Sequence, residues 1–164
     1  MKEFSDSYQH LSPGKLGREL ATLDNVVGKY INDVQLSGGM FHSNFTKALV
    51  EMFYWAVVDS HKSIIFDGYA RNKQQTEHIL QLAKDNHREM VGIFLDLPEN
   101  VGIERLIKRG RSDDTPDAIK NRIAYYFEHT VPWIKLFEAE FPLFTIDANR
   151  SIEEIATEIR KLIQ

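Results

Sequence analysis

The 164 residues contain no cysteine. That excludes disulfide scaffolds, thiolate zinc sites and cysteine nucleophiles, and it fits a reducing cytoplasm. Long apolar runs are missing too. The stretches ALVEMFYWAVV and MVGIFLDL are short and carry acids, whereas a helix that spans a bilayer needs about 20 apolar residues. The opening MKEFSDSYQH lacks the apolar core of a signal peptide. Positive charge is not in excess: 20 Lys and Arg against 24 Asp and Glu leave a formal net charge of −4. This argues against a general surface for a nucleic acid polymer and leaves room for a local basic pocket. No repeat, low-complexity tract or linker divides the chain. With 43% apolar and 27% charged residues, it is expected to form one domain over 1–164 that buries a core without disulfides or structural metal.

What is present alternates between two patterns. Ser12-Pro13 reads as a cap and first turn for a helix running toward Asp24. VVGKYINDVQL forms a second helical pattern that stops at Gly38-Gly39, and Ser43 is placed to cap NFTKALVEMFYWAVVD. SIIFD predicts a strand, NKQQTEHILQLAKDN a helix and MVGIFLDL a strand, after which Pro98-Glu99 opens a helix to Arg109. A long helical pattern from Pro116 toward Phe141 meets Pro132, which should kink or split it. FPLFTIDA predicts a strand, and SIEEIATEIRKLIQ a closing amphipathic helix with Ser151 and Glu154 as a capping box. Apolar strands joined by helical crossovers imply an α/β fold, a parallel sheet covered by helices on both faces. In such sheets ligands bind beyond the carboxyl ends of the strands. Asp67, Gly68 and Arg71 lie at one such end.

The arginines sharpen that expectation. Arg18 lies one turn into a helix, Arg71 follows a strand, and RLIKRGRSDDTPDAIKNR supplies Arg105, Arg109, Arg111 and Arg122. Guanidinium groups pair bidentately with phosphate oxygens, so several that converge from separate segments suit a polyphosphate or a phosphoryl group in transfer. Taken singly, each reads equally well as part of a solvated helix face with surface ion pairs of little worth.

IIFDGYAR with a glutamine four residues after the arginine, RLIKRGRSDDTPDAIKNR and IDANRSIEEI together resemble the nucleoside monophosphate kinases, and within them the adenylate kinase family. The resemblance covers the chain in order from Tyr8 onward. HLSPGKLGREL is similar to the segment that carries the family's nucleotide-binding Thr-Gly and a phosphate-binding arginine. SGGMFHSNF is similar to the loop that packs on the monophosphate's base.

The resemblance implies a P-loop-kinase-like parallel sheet sandwiched by helices, a monophosphate-binding segment over 12–60 and a short lid over 109–114. It implies that Arg18 and Arg71 bind the AMP phosphate beside Gly68, that Gln75 meets the adenine edge, and that Met40 and Phe41 line the base pocket. Arg105 and Arg109 would face ATP, with Arg150 in the place of the residue whose backbone meets the ATP base. Arg111 and Arg122, with Arg71, would stabilise the phosphoryl group in flight. Asp113 and Asp114 would hold the lid-hinge arginines, although acids in the first turn of a helix are also favourable in their own right. Asp67 would orient magnesium-bound water. The implied ligands are ATP with Mg2+ and AMP or another nucleoside monophosphate, without zinc, nucleic acid polymer or membrane, in the cytoplasm.

The departures are specific. Pro13 stands where the family usually has Thr, Lys15 where it has Asp, and Ala70 where it has the proline of Asp-Gly-Phe-Pro-Arg. Only Gly110 separates Arg109 from Arg111, and GGMFHSN lacks an Asp-Glu pair. Nowhere do the residues contain G-x-x-x-x-G-K-[ST], because Gly14-Lys15 and Gly28-Lys29 lack the earlier glycine. In the family that loop follows the first, central strand. The chain is therefore expected to lack the strand, with KEFSDSYQHLSP as a helix end running into an edge strand. The Ser63 to Asp67 strand must then pair directly with Met90 to Leu97 or leave a gap. Three readings follow: an adenylate-kinase-type phosphotransferase, weak or inactive without its loop and monomeric if the strand is supplied; a non-catalytic nucleotide-binding module; or a kinase of the same fold for UMP or CMP.

Overall fold

A computed structural model describes residues 8–57 and 62–163. The chain opens with strand β1 (Tyr8–Leu11) and helices α1 (Pro13–Leu20), α2 (Val26–Leu36) and α3 (Ser43–Val57). Strand β2 (Ser63–Phe66), α4 (Lys73–Asp85), β3 (Gly92–Asp96) and α5 (Glu99–Arg109) follow. The last elements are α6 (Pro116–Tyr125), α7 (Val131–Glu140), β4 (Leu143–Asp147) and α8 (Ile152–Leu162). This is the mixed α/β class expected. The helix end expected before β1 lies outside the described residues.

Side chains at the helix starts account for several boundaries. Asn25 accepts hydrogen bonds from the Val27 and Gly28 amides, Asn72 from Gln75 and Thr115 from Ala118, each satisfying donors that the first turn leaves free. Ser151 and Glu154 form the expected capping box. Two expectations are corrected. Ser12 makes no side-chain cap bond, and Pro13 alone presets the first turn of α1. The start of α3 is served by His42 rather than Ser43: the His42 ring accepts from the Asn44 amide at 3.3 Å and its carbonyl from Thr46 at 3.0 Å. Pro132 splits its helix instead of bending it. A π-helical turn, Tyr126–Thr130, joins α6 to α7, which accommodates a proline that has no N–H and would crowd the carbonyl a turn earlier.

The strands form two separate parallel pairs. β1 pairs with β2 from Tyr8↔Ser63 to Leu11↔Phe66, and β3 with β4 from Gly92↔Leu143 to Asp96↔Asp147. No pairing joins β2 to β3 among the described residues. The single continuous sheet is therefore not formed, and the alternative that leaves a gap is the one observed. Burial follows the same division. Tyr54, Ile79 and Leu82 form a buried cluster, with Ile64, Phe66, Tyr69, Ala70 and Met90 packed against it. Each such side chain withdrawn from water contributes about 1.5–3 kcal/mol. In the second pair Ile146 is buried, but Leu95 is 49% and Phe144 37% exposed, and α5, α7 and α8 contain no fully buried residue. No helix among the described residues is long and apolar enough to cross a membrane.

Candidate phosphate-binding site

The turn between β2 and α4 is built around Arg71. Gly68 has φ 71°, and a Cβ there would lie 2.5 Å from Arg71 Nη2, so the guanidinium covers a position only glycine leaves open. Ala70 is also left-handed, at φ 62°. Proline is locked near −65°, so Ala70 does not reproduce a proline turn. Distant groups hold the loop instead. The Arg71 amide donates to Gln75 Oε1 at 3.0 Å, and Thr130 Oγ1 donates to the Arg71 carbonyl at 2.9 Å. Asn72 Nδ2 donates to Ser43 Oγ at 3.1 Å and to the Tyr125 hydroxyl at 3.0 Å.

The Arg71 backbone is thus fixed while its charge is not neutralised. The one hydrogen-bond partner of its guanidinium among the described residues is the sulfur of Met40, 4.0 Å from Nη1. Solvent reaches the residue, yet surrounding protein crowds it. That crowding lowers its pKa from the ordinary arginine value, Asp67 opposes the shift, and the nearby charge of Arg122 adds to it. Gln75 lies alongside at 2% exposure. Its oxygen must face the Arg71 amide, a donor, so Nε2 is left buried without a hydrogen-bond partner among the described residues. An unmade bond of that kind costs about 1–3 kcal/mol.

Met40 and Phe41 begin an apolar wall beside these groups. Phe41 meets Phe45 edge-on at 5.8 Å, Phe45 meets Tyr30 at 5.7 Å, and the Tyr30 hydroxyl accepts from the His42 amide at 3.1 Å. A Cβ on buried Gly17 would come within 2.7 Å of the Phe41 ring. Arg18, the next residue, is exposed and makes no side-chain hydrogen bond or ion pair among the described residues.

A second cluster joins α5 to α6. Arg109 donates to both oxygens of Asp114, at 2.8 and 2.6 Å, in the bidentate fork that arginine favours. Arg122 donates to Asp114 Oδ1 and Asp113 Oδ2 at 2.6 Å each, and to the Asp113 carbonyl at 2.9 Å. The Asp114 side chain is only 1% exposed. Its hydrogen bonds from Arg109 hold its pKa well below the usual carboxylate range, against the cost of burial and with help from Arg122.

The remaining candidates make separate contacts. Arg105 projects from α5 without a side-chain partner among the described residues, and Arg111 meets Asp114 through its backbone amide at 3.3 Å. Arg150 is committed to Glu158 and to the Asp147 carbonyl at the start of α8. Asp67 lies 3.1 Å from His10 Nε2, at the carboxyl end of the first strand pair. Sequence reading passes over Thr130 and Tyr125, for neither carries a local signal and both reach the loop from more than fifty residues away (|i−j| 59 and 53). Asn72 was legible only as a helix start.

Comparison with known proteins places the chain in a family. The model of the family described as "Adenylate kinase" matches residues 2–141. An adenylate kinase of Prochlorococcus marinus (strain MIT 9301) is 32% identical over 158 residues, 96% of this chain and 85% of that protein. Adenylate kinase 1 of Synechocystis is 30% identical over 94% of this chain and 83% of its own, and the adenylate kinase of Oenococcus oeni 28% over the same shares. By the match to the family model and these long, continuous similarities, the chain belongs to the adenylate kinase family.

Proposed function

We propose that the Arg71 loop is the acceptor half-site of a nucleoside monophosphate kinase, and that its ligand is AMP. The observation that carries this reading is a fixed, crowded guanidinium without a carboxylate partner, next to an unpaired buried amide. A phosphate dianion would meet Arg71, with Arg18 approaching from α1 and the left-handed turn at Gly68 leaving room. The base would lie against Met40 and Phe41, with its polar edge toward Gln75 Nε2. Arg18, Met40 and Phe41 would form part of a monophosphate segment over 12–60, with Gly68 and Arg71 in the turn after β2 and Gln75 at the start of α4.

Transfer from ATP asks for more. Phosphoryl transfer depends almost wholly on positioning and charge neutralisation. Arg122, held by Asp113 and Asp114, would stabilise the group in flight together with Arg71 and Arg111 in the short lid, 109–114. Arg105, Arg109 and Arg150 would serve the ATP side. Magnesium carried on nucleotide phosphates keeps several waters and takes one or two carboxylates, and Asp67, with a side chain 59% exposed, fits a contact through water. When bound, the ion would offset phosphate charge. No group of three His, Cys, Asp or Glu among the described residues could hold a metal by itself.

The missing G-x-x-x-x-G-K-[ST] favours weak or absent turnover by these 164 residues, and it is also the observation that keeps a non-catalytic binding module in view. Calorimetry is expected to detect AMP more readily than adenosine; equal binding would defeat the phosphate clamp. Purified chain given ATP, Mg2+ and AMP is expected to form no measurable ADP, and fusion of a strand, phosphate loop and helix from a related kinase is expected to start turnover in a monomeric product. Robust turnover by the unfused chain would overturn the weak-catalyst reading. Because Pro13 offers no side-chain hydrogen bond, discrimination among AMP, CMP, UMP and GMP is expected to be modest; a strong preference for UMP or CMP would move the assignment to that class.

A further inference from the structure

A partly buried chain of polar side chains ends on the same loop, and the reading above leaves it unused. Tyr69 lies two residues before Arg71. Its ring packs against the Tyr54, Ile79 and Leu82 cluster beside Phe66, with ring centroids 6.3 Å apart. Its hydroxyl lies 2.6 Å from Nδ1 of His78, whose side chain is 6% exposed on α4. Nε2 of His78 lies 3.0 Å from Glu51 on α3. An ionised carboxylate can only accept, so Nε2 carries the proton, Nδ1 accepts, and the Tyr69 hydroxyl donates to it. Burial lowers the His78 pKa from its ordinary value, against the pull of the Glu51 hydrogen bond and charge, and Lys47 lowers it further. The chain of bonds runs from a half-exposed carboxylate on α3, through α4, to the loop.

That loop needs an anchor. Ala70, between Tyr69 and Arg71, has φ 62°, a conformation that costs a residue with a Cβ about 1–2 kcal/mol. Such a residue persists only where its surroundings over-determine it. After Ala70 the restraints are the Arg71 amide on Gln75, the Thr130 hydroxyl on the Arg71 carbonyl and, more weakly, the Ala70 carbonyl 3.5 Å from Thr76 Oγ1. Before it the Asp67 amide is bonded to the Leu11 carbonyl at 2.9 Å, and the Tyr69 side chain is the restraint next to Ala70. A phenylalanine ring would fill the same apolar space but leave His78 Nδ1 unpaired and the ring free to shift.

We propose that Tyr69, bonded through His78 to Glu51, is a positioning residue that holds Arg71 in its phosphate-facing orientation. The proposal rests on the reading of Arg71 as a phosphate clamp, and the experiment separates the two. AMP and adenosine binding are measured by calorimetry on the full chain, on Tyr69→Phe and on Glu51→Ala, each checked by circular dichroism and a cooperative melt. Tyr69→Phe is expected to weaken AMP about fivefold or more, a fraction of the worth of one charged hydrogen bond, and to leave adenosine within about twofold. Glu51→Ala, at the solvent end, is expected to show the same selective loss in smaller measure, and it carries the test if Tyr69→Phe does not fold. AMP affinity unchanged in the folded variants, or AMP and adenosine weakened equally, would overturn the proposal, since a purely structural anchor does not act on the phosphate alone. Equal binding of AMP and adenosine before any substitution would instead remove the clamp, and the proposal with it.

Discussion

Arg71 and Arg122 lie close enough to repel each other, yet the fold treats them in opposite ways. Arg122 is held by two carboxylates and by the carbonyls of Asp113 and Gln35, so its guanidinium is fixed by its own contacts between α6, the loop before it and α2. Arg71 is held by its backbone, and its guanidinium has a thioether as its one hydrogen-bond partner and makes no ion pair among the described residues, with Asp67 acting on it only through its field. The difference teaches how a protein separates anchoring from recognition. A cation paired with buried acids organises the chain, whereas one kept in place without an acid raises the local potential for a ligand anion. The two clusters also differ in how substitution should register, one in stability and the other in binding.

The largest expected effect is on the anchored side. Asp114→Asn removes the charge that Arg109 and Arg122 share and should cost about 3 kcal/mol in urea unfolding, the range for breaking a buried pair. Since the folded-state pKa of Asp114 lies below its unfolded value, its contribution is fully present above a pH of about 4 and is lost as pH falls below that toward the folded value. An acid titration of stability should therefore be flatter in Asp114→Asn, and an unchanged profile would break the contrast. Next comes Arg71→Ala. It should erase the preference for AMP over adenosine, roughly ten- to a hundredfold, or about 1.5–3 kcal/mol, with little change in the urea midpoint because no ion pair is lost. A large loss of stability would mean that Arg71 is an anchor after all.

Two smaller changes probe the frame around Arg71. Gly17→Ala pushes a methyl group into the Phe41 ring and should cost about 1 kcal/mol of stability, together with affinity for adenosine, as read by melt and calorimetry. Ala70→Gly relieves the left-handed backbone at some entropic cost and should give a net gain of about 0.5 kcal/mol. Proline at the same position should destabilise, because its φ cannot reach 62°. Stabilisation by proline would show that the turn relaxes to a different geometry in solution.

Much of the candidate site was readable before any coordinates because its signals are local. Asp67-Gly68 followed by Arg71 marks a strand end, and Asp113-Asp114 stand just before a helix start, with Arg122 within reach on the helix that follows. That Arg150 meets Glu158 while Arg105 has no side-chain partner among the described residues was not readable in the same way. An exposed arginine and a converging one look alike in a pattern of helical spacing, and only long-range packing tells them apart.

The sequence by itself determined where most of the helices and strands run and how Ser151 and Glu154 start the last helix, and it set Arg71 just beyond a strand end. These follow from dihedral preferences, capping bonds and apolar periodicity, which act over a few residues. Tertiary structure alone decided that β2 and β3 do not pair, that Ala70 adopts a left-handed backbone, and that Thr130 closes the Arg71 loop from 59 residues away. It also decided which arginine finds acids and which does not. That outcome depends on the distances between groups from separate segments, and such distances exist only after the core has brought the segments together.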